Sequence, residues 1–200
     1  MFSQELLRQR MRRAYAALDE FDVDLWISLG RETHFTREPA LLYLLPADVL
    51  MISALVISRD GASVCLVGTL DEEEMRSYGA ADEVIGYKDS FDDALSGVLR
   101  RHPGARRVAL NFSATDTSAD GLSHTQYLRV TNCLRDAGFQ GDIVSSCHIM
   151  KRVRAQKSPE EVAGIERAVK AALAIYDCAR VDLRSGMSGA DIQRYFWEKV

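Results

Sequence analysis

Apolar residues recur at helical spacing from the start of the chain. Leu7, Met11, Ala14 and Leu18 share one face of residues 4–21, and the arginines occupy the others. Residues 23–29 form a short apolar run that predicts a buried strand with Trp26 in the core. A polar loop is predicted over 30–46. Apolar runs at 49–58 and 63–67 predict two further strands, joined at Asp60 and Gly61, because glycine accepts the positive φ of a tight hairpin. Beyond that, helix and strand alternate. The acidic opening at 71–74 suits a helix N-terminus, where negative charge meets the positive end of the dipole. Residues 83–87 predict a strand, and Ser90 with Asp93 a capped helix that ends at His102, Pro103 and Gly104. A strand over 107–112, a helix over 123–137 closed by Gly138, and a last strand at 142–145 complete the series. Alternation on both sides of one hairpin predicts the α/β class, with a mixed sheet covered by helices on both faces.

The pattern changes near residue 150. Residues 150–157 are basic and read as a linker whose side chains pair locally. A strong helix start follows: Ser158 as N-cap, Pro159 at N1, where no hydrogen bond is lost, and Glu161 as capping-box partner. Val162, Ile165, Val169, Leu173 and Tyr176 form one stripe along that helix, and Gly186 is expected to stop it. Ser188 and Asp191 open another helix with an apolar face of Ile192, Tyr195 and Phe196. Two helices cannot build a core alone. The expected organisation is therefore one domain over 1–150, then the opening helices of a second domain over 151–200, cut before it is complete.

Composition narrows the function. Hydrophobic residues make up 47% and charged residues 27% of the 200 positions, with a net charge of -4. This is the mix of a globular protein, and the acidic balance argues against a nucleic-acid partner. No apolar run approaches the ~20 residues that cross a bilayer, and the N-terminus lacks the apolar core of a secretory signal, so the cytoplasm is expected. Cys65, Cys133, Cys147 and Cys178 lack disulfide or zinc spacing and read as buried, reduced thiols. His34, His102, His124 and His148 include no pair at helical ligand spacing, so no metal site is expected in this chain. The serine-hydrolase elbow and the glycine-rich phosphate loops are missing as well. Trp26 and Ser123 have structural readings, as core and as N-cap. The charges of the 30–46 loop, among them Glu38, read chiefly as a solvated rim that could line the mouth of a neighbouring site.

The segment Arg154, Lys157, Ser158, Pro159, Glu160 and Glu161, followed by a long helix and then Arg184, Gly186 and Ser188, resembles the domain junction of the pita-bread metallopeptidase family. That family includes Xaa-Pro aminopeptidase, prolidase and the non-peptidase creatinase, and the resemblance runs along the whole chain. Residues 110–113 and 119–127 are similar to one group of Xaa-Pro peptidases. Residues 31–45 depart from the segment many members carry after the first strand, which leaves substrate preference open.

The resemblance implies a creatinase/prolidase-type N-terminal domain that serves oligomerisation and pocket shaping. It implies no catalytic residue and no metal ligand within this chain. Arg31, Glu32, His34 and Arg37 are the candidates for a substrate-pocket rim. The parent enzyme would hold two divalent metal ions (Mn, Co or Zn) on downstream Asp, Asp, His, Glu and Glu. It would cleave proline-containing peptides and form a homodimer. A creatinase-like C–N hydrolase and a catalytically dead, protein-binding module of the histone-chaperone type are the alternatives.

Overall fold

The structure, a computed structural model, describes residues 3–31, 38–45 and 49–199. It divides into two compact units, residues 1–156 and 157–200.

The first unit is built on a six-stranded mixed sheet of order β4-β3-β2-β1-β5-β6. Its strands are β1 (Leu25–Gly30), β2 (Ser53–Ser58), β3 (Ser63–Gly68), β4 (Glu83–Tyr87), β5 (Arg107–Leu110) and β6 (Asp142–Ser145). β1, β2 and β3 pair antiparallel, and the β3–β4, β1–β5 and β5–β6 pairs are parallel. The α/β mixed sheet with helices on both faces is thus the observed architecture. The β2–β3 turn holds Gly61 at φ 89, the backbone state for which glycine is suited.

Every residue of β1, β2 and β3 is buried, because helices cover both faces of the sheet. On one face Trp26, Leu55, Ile57, Cys65, Val67 and Ala109 meet α1 (Gln4–Glu20), α2 (Pro39–Leu44), α3 (Glu72–Tyr78) and α6 (Cys147–Ala155). On the other, Leu25, Ile27, Leu29, Val56, Leu66 and Leu110 meet α4 (Phe91–Leu99) and α5 (His124–Asp136). The two sets alternate along each strand, as the period of two requires.

Local chemistry explains most helix ends. Ser3, Ser90 and Ser123 each accept a backbone N–H from the first turn of α1, α4 and α5. At Ser123 the bond is reciprocal, with Gln126 reaching back to form a capping box.

Four expectations need correction. The loop expected over 30–46 contains α2: Glu38 caps it, Pro39 supplies its pre-set φ, and Ala40, Leu41 and Leu44 are buried. β2 begins at Ser53 rather than at 49, since the Leu50 N–H is taken by the Asp71 carboxylate at 3.0 Å and Tyr87 bonds the Ile52 carbonyl at 2.8 Å. β5 stops at Leu110 because the Asn111 carbonyl turns aside to accept the N–H groups of Gly121 and Leu122. The basic run read as a linker forms most of α6, whose Ile149, Met150 and Val153 are buried. Arg152 pairs with Glu20 of α1 at 2.8 Å, and Lys151 with Asp116 at 3.3 Å.

The second unit consists of α7 (Pro159–Asp182) and α8 (Gly189–Trp197). Both open on capping boxes, Ser158 with Glu161 and Ser188 with Asp191. α7 ends at Asp182, ahead of Gly186, which holds φ 95 in the connection. Tyr195 donates to Asp182 at 2.8 Å, and the Tyr176 and Phe196 rings lie 5.6 Å apart. Val162, Ile165, Val169, Leu173 and Tyr176 are exposed.

Candidate functional site

At their carboxyl ends β1 and β5 lie side by side and parallel, and their chains then part. After β1 the chain enters α2 on one face of the sheet; after β5 it enters α5 on the other. A crevice opens where successive crossovers leave a sheet in opposite directions, and open α/β sheets bind ligands there. The crevice here has a volume of about 220 Å³. Gly30 and Arg31 from the end of β1, Glu38 from the start of α2, and Asp120, Ser123 and Gln126 from the approach to α5 line it.

Beneath the crevice lies a buried polar network. The Asn111 side chain is its centre. Its Oδ1 accepts from Trp26 Nε1 at 2.7 Å and from the Ser146 hydroxyl. Its Nδ2 donates to Ser28 Oγ at 2.9 Å and to Glu38 Oε1. The other Glu38 oxygen accepts the Leu41 N–H at 2.6 Å and so caps α2. One side chain thereby joins β1, β5, α2 and the start of α6. Among the described residues no buried side-chain nitrogen or oxygen lacks a partner.

Glu38 carries the perturbed acidity of this region. Burial pushes its carboxyl up to about 7, against the opposing pull of the bonds from Leu41, Asn111 and Ala40. Nearby Asp116 moves the other way, to about 2, because Ser118 donates side-chain and backbone bonds to it, with Lys151 adding a further bond and charge. Elsewhere burial raises the Cys65 thiol to about 12. Cys65 and Cys133 are buried, but Cys147 is half-buried and Cys178 exposed, so the expectation of four buried thiols holds for two of them.

Of the four rim candidates, Arg31 is exposed and lines the crevice, whereas Glu32, His34 and Arg37 lie outside the described residues. Glu38, read as a solvated charge, is only 6% exposed and is a structural acid with both oxygens engaged. Sequence reasoning missed Asn111 and Ser146. The one local signal was the Glu38–Pro39 pair, a cap followed by a proline at the first helical position. His102 sits half-buried at the opposite edge of the sheet, His124 opens α5, and exposed His148 packs on Phe21 with ring centroids 5.7 Å apart. Among the described residues no three His, Cys, Asp or Glu side chains are grouped to hold a metal ion, and no helix is long and apolar enough to cross a membrane.

The architecture is that of the creatinase/prolidase N-terminal domain, continued by further helices. No family model matches the chain, and no curated protein does. Solved structures do. The dipeptidase PepE of Mycobacterium ulcerans is 18% identical with a TM-score of 0.71, covering 99% of this chain and 50% of its own. An Xaa-Pro dipeptidase from Bacillus anthracis is 14% identical with a TM-score of 0.70, covering 96% of this chain and 48% of its own. The creatinase/prolidase N-terminal domain of an X-Pro dipeptidase from Streptococcus pyogenes is 17% identical with a TM-score of 0.51, covering 68% of this chain and 98% of its own. At these identities the likeness is one of fold. The chain spans about half the length of the two dipeptidases.

Proposed function

We propose that this chain is the N-terminal, non-catalytic part of a dimetal-dependent Xaa-Pro peptidase, a dipeptidase or aminopeptidase, and that it serves oligomerisation and the shaping of the substrate pocket. The observation that carries the reading is the order of parts. A creatinase/prolidase-type sheet domain is followed by a capped long helix, and the match takes in nearly all of this chain and about half of two dipeptidases.

In this reading residues 151–200 are the junction and first helices of the catalytic domain. The exposed stripe of α7 is the kind of surface that such a domain would bury. The metal ions, Mn, Co or Zn, belong to residues outside these 200 positions and supply the activated water and the polarised carbonyl. The crevice at the carboxyl edge, which Arg31 lines, is the part of this chain that would form the rim of the substrate site, and Glu32, His34 and Arg37 are its further candidates by sequence. The expected assembly is a homodimer in the cytoplasm, acting on proline-containing peptides.

The test is to read the coding frame for about 250 codons past Val200, the size of an ordinary second domain, and to assay both forms. The expected result is Asp, Asp, His, Glu and Glu in that order, with the longer protein cleaving an Xaa-Pro dipeptide in the presence of Mn²⁺ and residues 1–200 not cleaving it. Replacement of those ligands removes the peptidase reading. Chelator-sensitive turnover by residues 1–200 alone removes the non-catalytic one.

A further inference from the structure

A second and larger hollow, of about 490 Å³, opens at the amino-terminal edge of β1, β5 and β6, at the opposite end of these strands from the crevice. It lies wholly within the first unit. Buried Leu25, Leu99 and Leu134 make its floor, and Phe139 forms a wall. Its size falls within the usual range for small-molecule sites, and His102, Arg106, Gln140 and Asp142 are the polar side chains that line it.

Two opposite charges stand on that edge. Arg106 and Asp142 both line the hollow and are exposed. The backbones of these residues are locked together, with the Asp142 N–H donating to the Arg106 carbonyl at 2.7 Å. Their side chains form no ion pair with each other, nor with any other side chain among the described residues. Asp24 feels the charge of Arg106, but its oxygens are taken by Arg59 at 2.6 Å and by the N–H groups of Arg106 and Arg107. Gly141 keeps this wall as bare backbone, since a Cβ there would collide with the Arg106 carbonyl. Ala137, the C-cap of α5, also lines the hollow and brings the negative end of that helix to it.

We propose that this hollow binds a free α-amino acid with an apolar side chain. The ligand's carboxylate meets the Arg106 guanidinium, and its ammonium meets Asp142 and the C-terminal end of α5. Its side chain lies against the half-buried Phe139, above Leu25, Leu99 and Leu134. A zwitterion meets both charges at once, which neither a simple carboxylate nor a simple amine can do. The site is independent of the peptidase reading and stands or falls separately from it.

The experiment is titration of the 200-residue chain with L-leucine and L-phenylalanine, followed by backbone amide NMR. Saturable shifts are expected at Arg106, Gly138, Gly141 and Asp142. N-acetyl-L-leucine, which lacks the ammonium, and L-leucinamide, which lacks the carboxylate, should each bind about tenfold more weakly or worse. Arg106→Gln and Asp142→Asn, both at exposed side chains, should weaken leucine by a similar factor while preserving the native spectrum. Absence of saturable shifts in the millimolar range overturns the proposal. So does equal binding of the blocked analogues, wild-type affinity in both variants, or shifts that gather instead at Arg31 and Ser123.

Discussion

Replacing Glu38 with Gln tests whether the network under the crevice holds a carboxyl group that titrates near neutrality. Glu38 is only 6% exposed, so the shift from the ordinary 4.5 to about 7 converts to stability without a discount for solvent screening. At about 1.4 kcal/mol per pH unit, the distance between these values corresponds to about 3.5 kcal/mol. The folded pKa is raised, so the folded state holds the extra proton between pH 4.5 and pH 7. The contribution is fully present below pH 4.5 and is lost as pH rises through about 7. Between pH 5 and pH 8 the loss is about 2–3 kcal/mol.

In Glu38→Gln the carboxyl no longer titrates, and the amide NH₂ faces either the Leu41 N–H or the Asn111 Nδ2, a donor against a donor. The variant therefore carries a constant penalty of about 1–3 kcal/mol. Urea unfolding of both proteins from pH 5 to pH 8, followed by tryptophan fluorescence, measures the gap between them. Trp26 is fully buried in the same network and Trp197 is 72% exposed, so the signal reports chiefly on this core. The stability of the wild type relative to the variant should fall by about 2–3 kcal/mol on going from pH 5 to pH 8, enough to close or reverse the gap. A gap constant to within about 0.5 kcal/mol, the usual tolerance of such comparisons, would refute a buried carboxyl of raised pKa.

Other substitutions probe separate links. Asn111→Ala removes the side chain that satisfies Trp26, Ser28, Glu38 and Ser146 together, and should cost about 3 kcal/mol or more in urea unfolding. Ser158→Ala deletes one bond of the α7 capping box; a loss of about 1 kcal/mol is expected, seen as faster hydrogen exchange of the amides of residues 161–163 while those of β1 are unchanged. Gly141→Ala places a methyl against the Arg106 carbonyl and should cost about 1–3 kcal/mol, read as a lower thermal midpoint.

Elements built from local chemistry were legible in the sequence. The β2–β3 turn at Asp60 and Gly61, the capped starts of α4, α5, α7 and α8, and the buried run around Trp26 each depend on residues within a few positions of one another. α2 was hidden because it is only six residues long and sits among charges, too short for a helical period to emerge. α6 was hidden for a different reason. Its arginines and lysine dominate the sequence, but Ile149, Met150 and Val153 make a narrow stripe that is buried beside α1. Glu38 was misread because its burial depends on Asn111, 73 positions away, and no short window holds both.

The same long-range dependence bears on what the crevice can do. Its two sides rest on elements that approach each other only through the fold: Glu38 and α2 follow β1, and Asp120 to Ser123 follow β5. Asn111 holds both. Its side chain binds Glu38, and its carbonyl accepts the N–H groups of Gly121 and Leu122 on the approach to α5. A shift of Asn111 therefore moves both walls together, and the mouth keeps its shape as long as the network beneath is intact. Buried polar sets of this kind are costly unless every member is satisfied, and then they specify one arrangement of the surrounding elements. If the crevice forms the rim of a substrate site, the geometry of that rim is set by residues that never touch the substrate. Mutations at Asn111 or Glu38 would then alter substrate affinity in the longer enzyme while leaving its metal ligands untouched.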